Sequence, residues 1–183
     1  MKSKQKFISL LSDYGFKIAF ADESDTLFLR KALQALIQSK SPIREVRFLR
    51  NEFIGETEDS RGGVFDLACV DENERTFIVE MQFGYYKHFI QRTKFYAFQR
   101  FNTLVKKGKY KFDSLTPIYC IGFLAKAIFP RSSQYYHFGR LKNQIGEELD
   151  SQITHVIVEI NKFEKTEAEL QSDLDKLMSV FGI

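Results

Sequence analysis

Three polar residues, Asp66, Glu80 and Gln82, interrupt two short apolar runs that flank a polar turn. This pattern predicts an antiparallel hairpin. Pairing about Asn73, at the centre of the turn, places Asp66 opposite Glu80, because each is seven residues from that centre. Side chains alternate between the two faces of a strand, so Gln82 lies on the same face as Glu80. The sequence therefore predicts that three polar groups converge on one patch.

Two carboxylates that face each other across a sheet repel unless a positive charge lies between them. Oxygen ligands suit Mg²⁺ or Mn²⁺, and such an ion can polarise a phosphoryl oxygen and help to generate hydroxide. A solvated sheet face with no chemistry is the alternative interpretation of the same spacing. The apolar neighbours of Asp66 and Glu80 favour a metal site, because an unpaired charge in an apolar setting is costly.

A basic segment follows the hairpin, with no acidic residue from Met81 to Phe112. Its apolar spacing predicts a long amphipathic helix that ends near Gly108. Next to a metal site, such a helix would supply phosphate contacts. Charge alone is equally typical of a solvated helix face. The positive residues of the segment are Lys87, Arg92, Lys94, Arg100, Lys106, Lys107, Lys109 and Lys111.

The remaining elements place this hairpin and helix in a mixed α/β domain. The chain of 183 residues, 44% of them hydrophobic, fits a single domain over residues 1–183. Ser24 or Asp25 is expected to cap the first helix. The predicted elements are a helix over residues 26–38, strands over 45–53, 64–70 and 76–82, a helix over 85–107, strands over 117–124 and 152–160, and a helix over 163–181.

Cys69 and Cys120 each lie inside an apolar run, which predicts buried thiols in a reducing compartment rather than a zinc site or a disulfide. Ser12, Asp13 and Lys17 break the only apolar stretch near the start, so no signal peptide is expected. No apolar run reaches 18 residues, so no membrane span is expected.

At the carboxylates the chain resembles the PD-(D/E)XK nuclease superfamily, and more closely its transposase-associated branch, the recombination-promoting nucleases. Most of the similarity lies within residues 10–125. The similar positions are Asp13-Tyr14-Gly15-Phe16-Lys17, Phe65-Asp66-Leu67, Ile78-Val79-Glu80-Met81-Gln82, the helix residues Phe89, Arg92, Phe95 and Tyr96, and Gly108-Lys109-Tyr110 with Leu115-Thr116-Pro117-Ile118.

This resemblance implies a restriction-endonuclease-like core of order αβββαβ, with a central mixed sheet flanked by helices and an extra C-terminal strand and helix. It implies that Asp66, Glu80 and the Met81 backbone carbonyl hold the metal. Gln82, where most of the superfamily has Lys, would orient the attacking water. Asp13 either reaches the metal or caps a turn.

The expected function is a DNA endonuclease associated with recombination or transposition, with Mg²⁺ as its cofactor and Mn²⁺ as an alternative. We expect a bacterial cytoplasmic protein that joins the nucleoid when bound to DNA, with a homodimer as a further expectation. Members of the branch often extend beyond this length, which leaves open whether a C-terminal region is missing. The predicted DNA contacts are Lys17, Lys87, Arg92, Lys94 and Arg100.

Two other functions stay open at this point. Gln82 brings no positive charge to the site, which is compatible with a DNA-binding module that keeps the nuclease fold without turnover. The basic helix is also compatible with a protein-interaction domain that binds an acidic partner.

Overall fold

The structure is a computed structural model that describes residues 9–53, 63–105, 108, 112 and 115–181. No helix in these parts of the chain is long and apolar enough to cross a membrane. The elements in them are α1 (Asp13–Phe20), α2 (Leu27–Leu36), β1 (Val46–Phe48), β2 (Glu52–Phe53), β3 (Gly63–Val64), β4 (Leu67–Asp71), β5 (Thr76–Gln82), α3 (Phe89–Leu104), β6 (Ile118–Leu124), β7 (Tyr136–Lys142), β8 (Glu148–Glu159) and α4 (Asp173–Ser179).

A six-stranded mixed sheet in the order β1-β4-β5-β6-β8-β7 forms the centre of the fold. β4 and β5 pair antiparallel, whereas β5, β6 and β8 run parallel to one another. β7 returns antiparallel to β8 at the edge. Helices flank this sheet, so the restriction-endonuclease-like α/β fold expected from the sequence is confirmed.

Alternation along β5 divides the core into two parts. Phe77 and Val79 face the larger cluster, which contains residues of α1, α2 and α4. Ile78 faces the opposite side, where Tyr96 and Ala97 of α3 pack. The strand that carries Glu80 is thus covered on both faces, and a polar side chain on its α3 side is largely withdrawn from water.

The N-terminal helix α1 was not predicted, and the predicted first helix is α2. Ser12 caps α1, because its side-chain oxygen accepts a hydrogen bond from the Gly15 N–H at 3.0 Å. Asp13 is the first residue of α1, and Ser12 rather than Asp13 is its N-cap. The expected cap by Ser24 or Asp25 is wrong, because the N-cap of α2 is Thr26, although the Asp25 carboxylate accepts from the Leu27 N–H at 2.9 Å.

Other boundaries also differ from the expected ones. β7 was missed because its side chains alternate poorly between buried and exposed positions. The predicted closing helix is reduced to α4 and is preceded by two short 3₁₀ turns. α3 ends at Leu104, before Gly108. Cys69 and Cys120 are buried free thiols, as expected. Four predicted basic residues of the segment lie outside the described residues: Lys106, Lys107, Lys109 and Lys111.

A close approach between Gly122 and Phe89 sets the position of α3 on the sheet. Gly122 lies in β6 beside Glu80 of β5. A Cβ atom built on Gly122 would lie 2.4 Å from the Phe89 ring, which is fully buried. Since Phe89 is the first residue of α3, the missing side chain at position 122 lets the helix begin directly over β6.

We expect Gly122→Ala to displace the Phe89 ring and cost about 1–3 kcal/mol of unfolding free energy through overpacking. Gly139→Ala is the matched control, because its Cβ would find the nearest atom at 3.8 Å, an ordinary contact. Thermal unfolding followed by circular dichroism measures both variants. Equal melting temperatures for the two would contradict the proposed packing restraint.

Candidate metal centre

The two carboxylates are brought together by the pairing of β4 with β5. The register joins Leu67 to Val79 and continues to Val70 with Thr76, which is the register predicted from the sequence. Asp66 lies immediately before β4, and Glu80 follows Val79 on β5. The Asp66 Oδ2 atom accepts a hydrogen bond from the Met81 N–H at 2.7 Å. This hydrogen bond therefore holds the Asp66 carboxylate against β5, next to Glu80 and Met81.

The backbone of Met81 points toward Asp66. Thr76 donates its N–H to Pro117, and Gln82 accepts at its carbonyl from the Ala125 N–H, so even-numbered residues of β5 pair toward β6. Backbone groups of successive residues alternate in direction along a strand. The Met81 N–H and C=O thus face the β4 side, where the Asp66 carboxylate takes the place of a strand partner.

Glu80 is the more buried of the two carboxylates, with 4% of its surface exposed. Its Oε2 atom accepts from the Arg92 Nη2 at 2.9 Å, whereas Oε1 is buried with no hydrogen-bond partner among the described residues. Burial, and then the charge of Asp66, raise the pKa of Glu80 to about 7 despite the opposing effects of Arg92 and the Asp66 backbone N–H. One carboxylate oxygen is thus withdrawn from water and unsatisfied.

Asp66 is half-buried, and its pKa is also raised from the ordinary value. Burial raises its pKa, the Met81 N–H lowers it, and the nearby charge of Asp13 raises it further. Lys17 and Arg92 lower the pKa, but the net direction is upward. For both carboxylates, the nearby positive charges and hydrogen-bond donors of the protein therefore do not fully offset the cost of burying a negative charge.

Gln82 shares a face with Glu80, and a single nitrogen of Arg92 joins the two. The Arg92 Nη2 donates to the Gln82 Oε1 at 3.2 Å as well as to Glu80. Sequence reasoning treated Arg92 only as a phosphate contact and did not place it in the site. The one sequence signal is its spacing, three residues after Phe89 and four before Tyr96, which puts it near the buried side of α3 but does not show that it reaches Glu80.

The donor atoms fit a hard divalent cation. A buried carboxylate oxygen without a partner, a second carboxylate beside it and a carbonyl on the same side form an all-oxygen set, and Mg²⁺ commonly uses only one or two carboxylates with waters and phosphates. No group of three or more His, Cys, Asp or Glu side chains suited to a metal occurs in the part of the chain that the structure describes. Asp13 is 73% exposed and pairs with Lys17 at 3.0 Å, so its influence on the site is electrostatic.

The predicted phosphate contacts are spread around the fold. Lys17 of α1 lowers the pKa of Asp66, and exposed Lys87 lies two residues before the start of α3. Lys94 is exposed. Burial, and then the charge of Lys94, lower the pKa of His155 of β8. Arg100 reaches Thr76 at the start of β5, about 13 Å along the strand from Glu80. Of the five predicted contacts, Lys17 and Arg92 therefore interact with the carboxylates, whereas Arg100 lies well away from them.

The fold and the carboxylate pair define a nuclease-type α/β protein, and the comparison with known families agrees. A family model described as PD-(D/E)XK nuclease family transposase matches residues 10–182. The chain belongs to this family, as the sequence motifs indicated. No curated protein and no solved structure gives a significant match. Membership makes it a nuclease-fold protein linked to transposition, in a superfamily that typically uses divalent metals and acts on DNA.

We expect Asp66→Asn to stabilise the protein in EDTA by about 1 kcal/mol, because it removes one of two repelling charges and keeps an oxygen for the Met81 N–H. That gain corresponds to a melting temperature about 2–4 °C higher.

Asp71→Asn, at the other end of β4, is the control. The Asp71 carboxylate is more deeply buried than that of Asp66, but it is satisfied by the Arg75 Nε at 2.6 Å and by the Asn73 N–H at 3.0 Å. Its replacement should cost about 2–3 kcal/mol. A loss of stability in both variants would show that the Asp66 charge is as well compensated as that of Asp71.

Proposed function

We propose that this protein is a metal-dependent endonuclease that hydrolyses phosphodiester bonds of DNA during transposition or recombination. The single observation that supports it best is the buried, unpartnered Oε1 of Glu80 beside the Asp66 carboxylate. A protein that had no use for a cation here would gain stability by replacing Asp66 with a neutral residue, because this would remove the repulsion and keep the Glu80–Arg92 ion pair. Family membership supports phosphodiester hydrolysis as the class of reaction and DNA as the substrate.

Asp66, Glu80 and the Met81 carbonyl would hold Mg²⁺ or Mn²⁺. When bound, such an ion polarises a phosphoryl oxygen and makes a bound water more acidic. The Met81 N–H keeps the Asp66 carboxylate oriented, since the hydrogen bond is short at 2.7 Å. Gln82 borders the carboxylates and orients the attacking water by hydrogen bonding. Attack in line with the leaving oxygen then cleaves the strand.

DNA would cross the carboxylate site with its phosphates contacted by Lys17 and Lys87 nearby. Lys94 and Arg100 would contact phosphates further along, since a duplex carries a charge about every 1.7 Å of its axis. Arg92 is committed to Glu80 and Gln82, so its contact with DNA would be made from within the site.

A DNA-binding module without turnover is the second candidate. Gln82 favours it, because this position lacks the positive charge that most of the superfamily carries there. This module would bind DNA in a salt-sensitive manner and nick it under no metal.

The deciding experiment is cleavage of supercoiled plasmid with Mg²⁺ and, separately, Mn²⁺. We expect the wild type to nick or linearise the plasmid and Asp66→Ala and Glu80→Ala to lose cleavage by at least about 100-fold while they still bind DNA. Glu74→Ala, an exposed carboxylate on the turn between β4 and β5, is the control and should cleave like the wild type.

Retained cleavage in Asp66→Ala or Glu80→Ala would contradict the assignment of the site. A wild type that binds plasmid but never nicks it would favour the binding module.

A further inference from the structure

The positive charge that position 82 lacks is present in the site, but it comes from a different element. The Arg92 guanidinium reaches from α3 to the Glu80 carboxylate at 2.9 Å and to the Gln82 amide oxygen at 3.2 Å. The positive charge of Arg92 therefore lies beside both Glu80 and Gln82. A lysine at position 82 would bring a positive charge to the same place. Helix α3, and not strand β5, carries it.

Arg92 also fixes which end of the Gln82 amide faces outward. A guanidinium has donors and no acceptor, so only the amide oxygen of Gln82 can face it. The Nε2 group is left on the other side, and it lies 3.9 Å from the position that a Cβ on Gly84 would take. The N–H donors of Gln82 thus lie on the side away from Arg92, and a lysine at this position would also present donors.

The guanidinium is held in place by aromatic rings. It lies 4.8 Å from the centre of the Tyr86 ring and 5.7 Å from that of Phe89, and only 27% of the side chain is exposed. Phe89 is itself seated over Gly122, the β6 neighbour of Glu80. The Arg92 Nε is buried and has no hydrogen-bond partner within the described residues. This position of the side chain therefore leaves one of its own donors unsatisfied.

We propose that Arg92 and Gln82 together replace the lysine of the superfamily, with Arg92 supplying the positive charge and Gln82 the outward N–H donor. This inference rests on the nuclease function proposed above. The pair would stabilise the negative charge that develops on the phosphate during attack, and Arg92 in addition positions Gln82. Loss of one such donor or charge in an active site typically costs 100-fold to 1000-fold in rate.

Three variants of the full chain test the pair: Arg92→Met, Gln82→Lys and the double variant. We expect Arg92→Met to cleave plasmid about 100-fold more slowly. Adding Gln82→Lys to it should restore at least about tenfold, because the charge returns to the site from β5. Gln82→Lys alone should not accelerate the wild type, since Arg92 already supplies the charge. Arg131→Met, an exposed cation outside the site, is the charge-loss control.

Binding of Mn²⁺, measured by electron paramagnetic resonance without DNA, separates this role from a structural one. A cation beside Glu80 opposes a second cation, so Arg92→Met should bind Mn²⁺ at least as tightly as the wild type while it cleaves more slowly. A parallel loss of Mn²⁺ affinity and cleavage would show that Arg92 only supports the carboxylates, and would overturn the proposal.

The remaining outcomes are also decisive. An acceleration of tenfold or more by Gln82→Lys alone would overturn the proposal even if Arg92→Met failed to fold, because the wild-type site would then lack the charge. Failure of the double variant to recover activity would do the same. A wild type that cleaves nothing would instead refute the nuclease function on which the inference rests.

Discussion

The electrostatic repulsion between Asp66 and Glu80 is the constraint on which the rest of the site depends. The β4–β5 register places the two carboxylates side by side, and the packing of α3 removes Glu80 from water. Neither position is favourable for an ion in the absence of a counter-charge. The protein offers one partial solution, the Arg92 ion pair, and leaves one carboxylate oxygen unsatisfied. A cation bound at this place, as proposed above, would relieve both the repulsion and the unsatisfied oxygen.

Helix α3 couples this electrostatic problem to the packing of the fold. Its first residue, Phe89, fits over Gly122, and one turn later Arg92 reaches Glu80. Farther along the helix, Tyr96 packs edge to face on Phe65, the residue before Asp66, with ring centres 4.7 Å apart. Both carboxylate-bearing segments are therefore braced by the same helix. A shift of α3 would disturb the counter-charge of Glu80 and the support of Asp66 together.

Much of this arrangement could be predicted from the sequence because it depends on local rules. Strand periodicity and a symmetric turn gave the hairpin register, so the proximity of Asp66 and Glu80 and the shared face of Gln82 followed. The motifs also indicated the family correctly. These features need no knowledge of how distant elements pack.

The features that were missed depend on tertiary packing. α1 is short and its Ser12 cap is a weak signal, and β7 is an edge strand with little alternation. Arg92 was counted with the basic residues of a helix, because the sequence does not show which charged side chain turns inward against β5. Its contact with Glu80 depends on the seating of Phe89 over Gly122, which joins two segments more than 30 residues apart.

The most direct test of the account is a titration of the wild-type protein and its Glu80→Gln variant with Mn²⁺, followed calorimetrically in the absence of DNA. The Glu80→Gln side chain keeps its size, so the fold and the Arg92 contact to position 80 need not be lost. If the carboxylate pair is a metal centre, the wild type binds Mn²⁺ saturably with one ion per chain, and the variant loses at least about tenfold in affinity. Equal affinity in the two proteins, or no saturable binding by the wild type, would contradict the account.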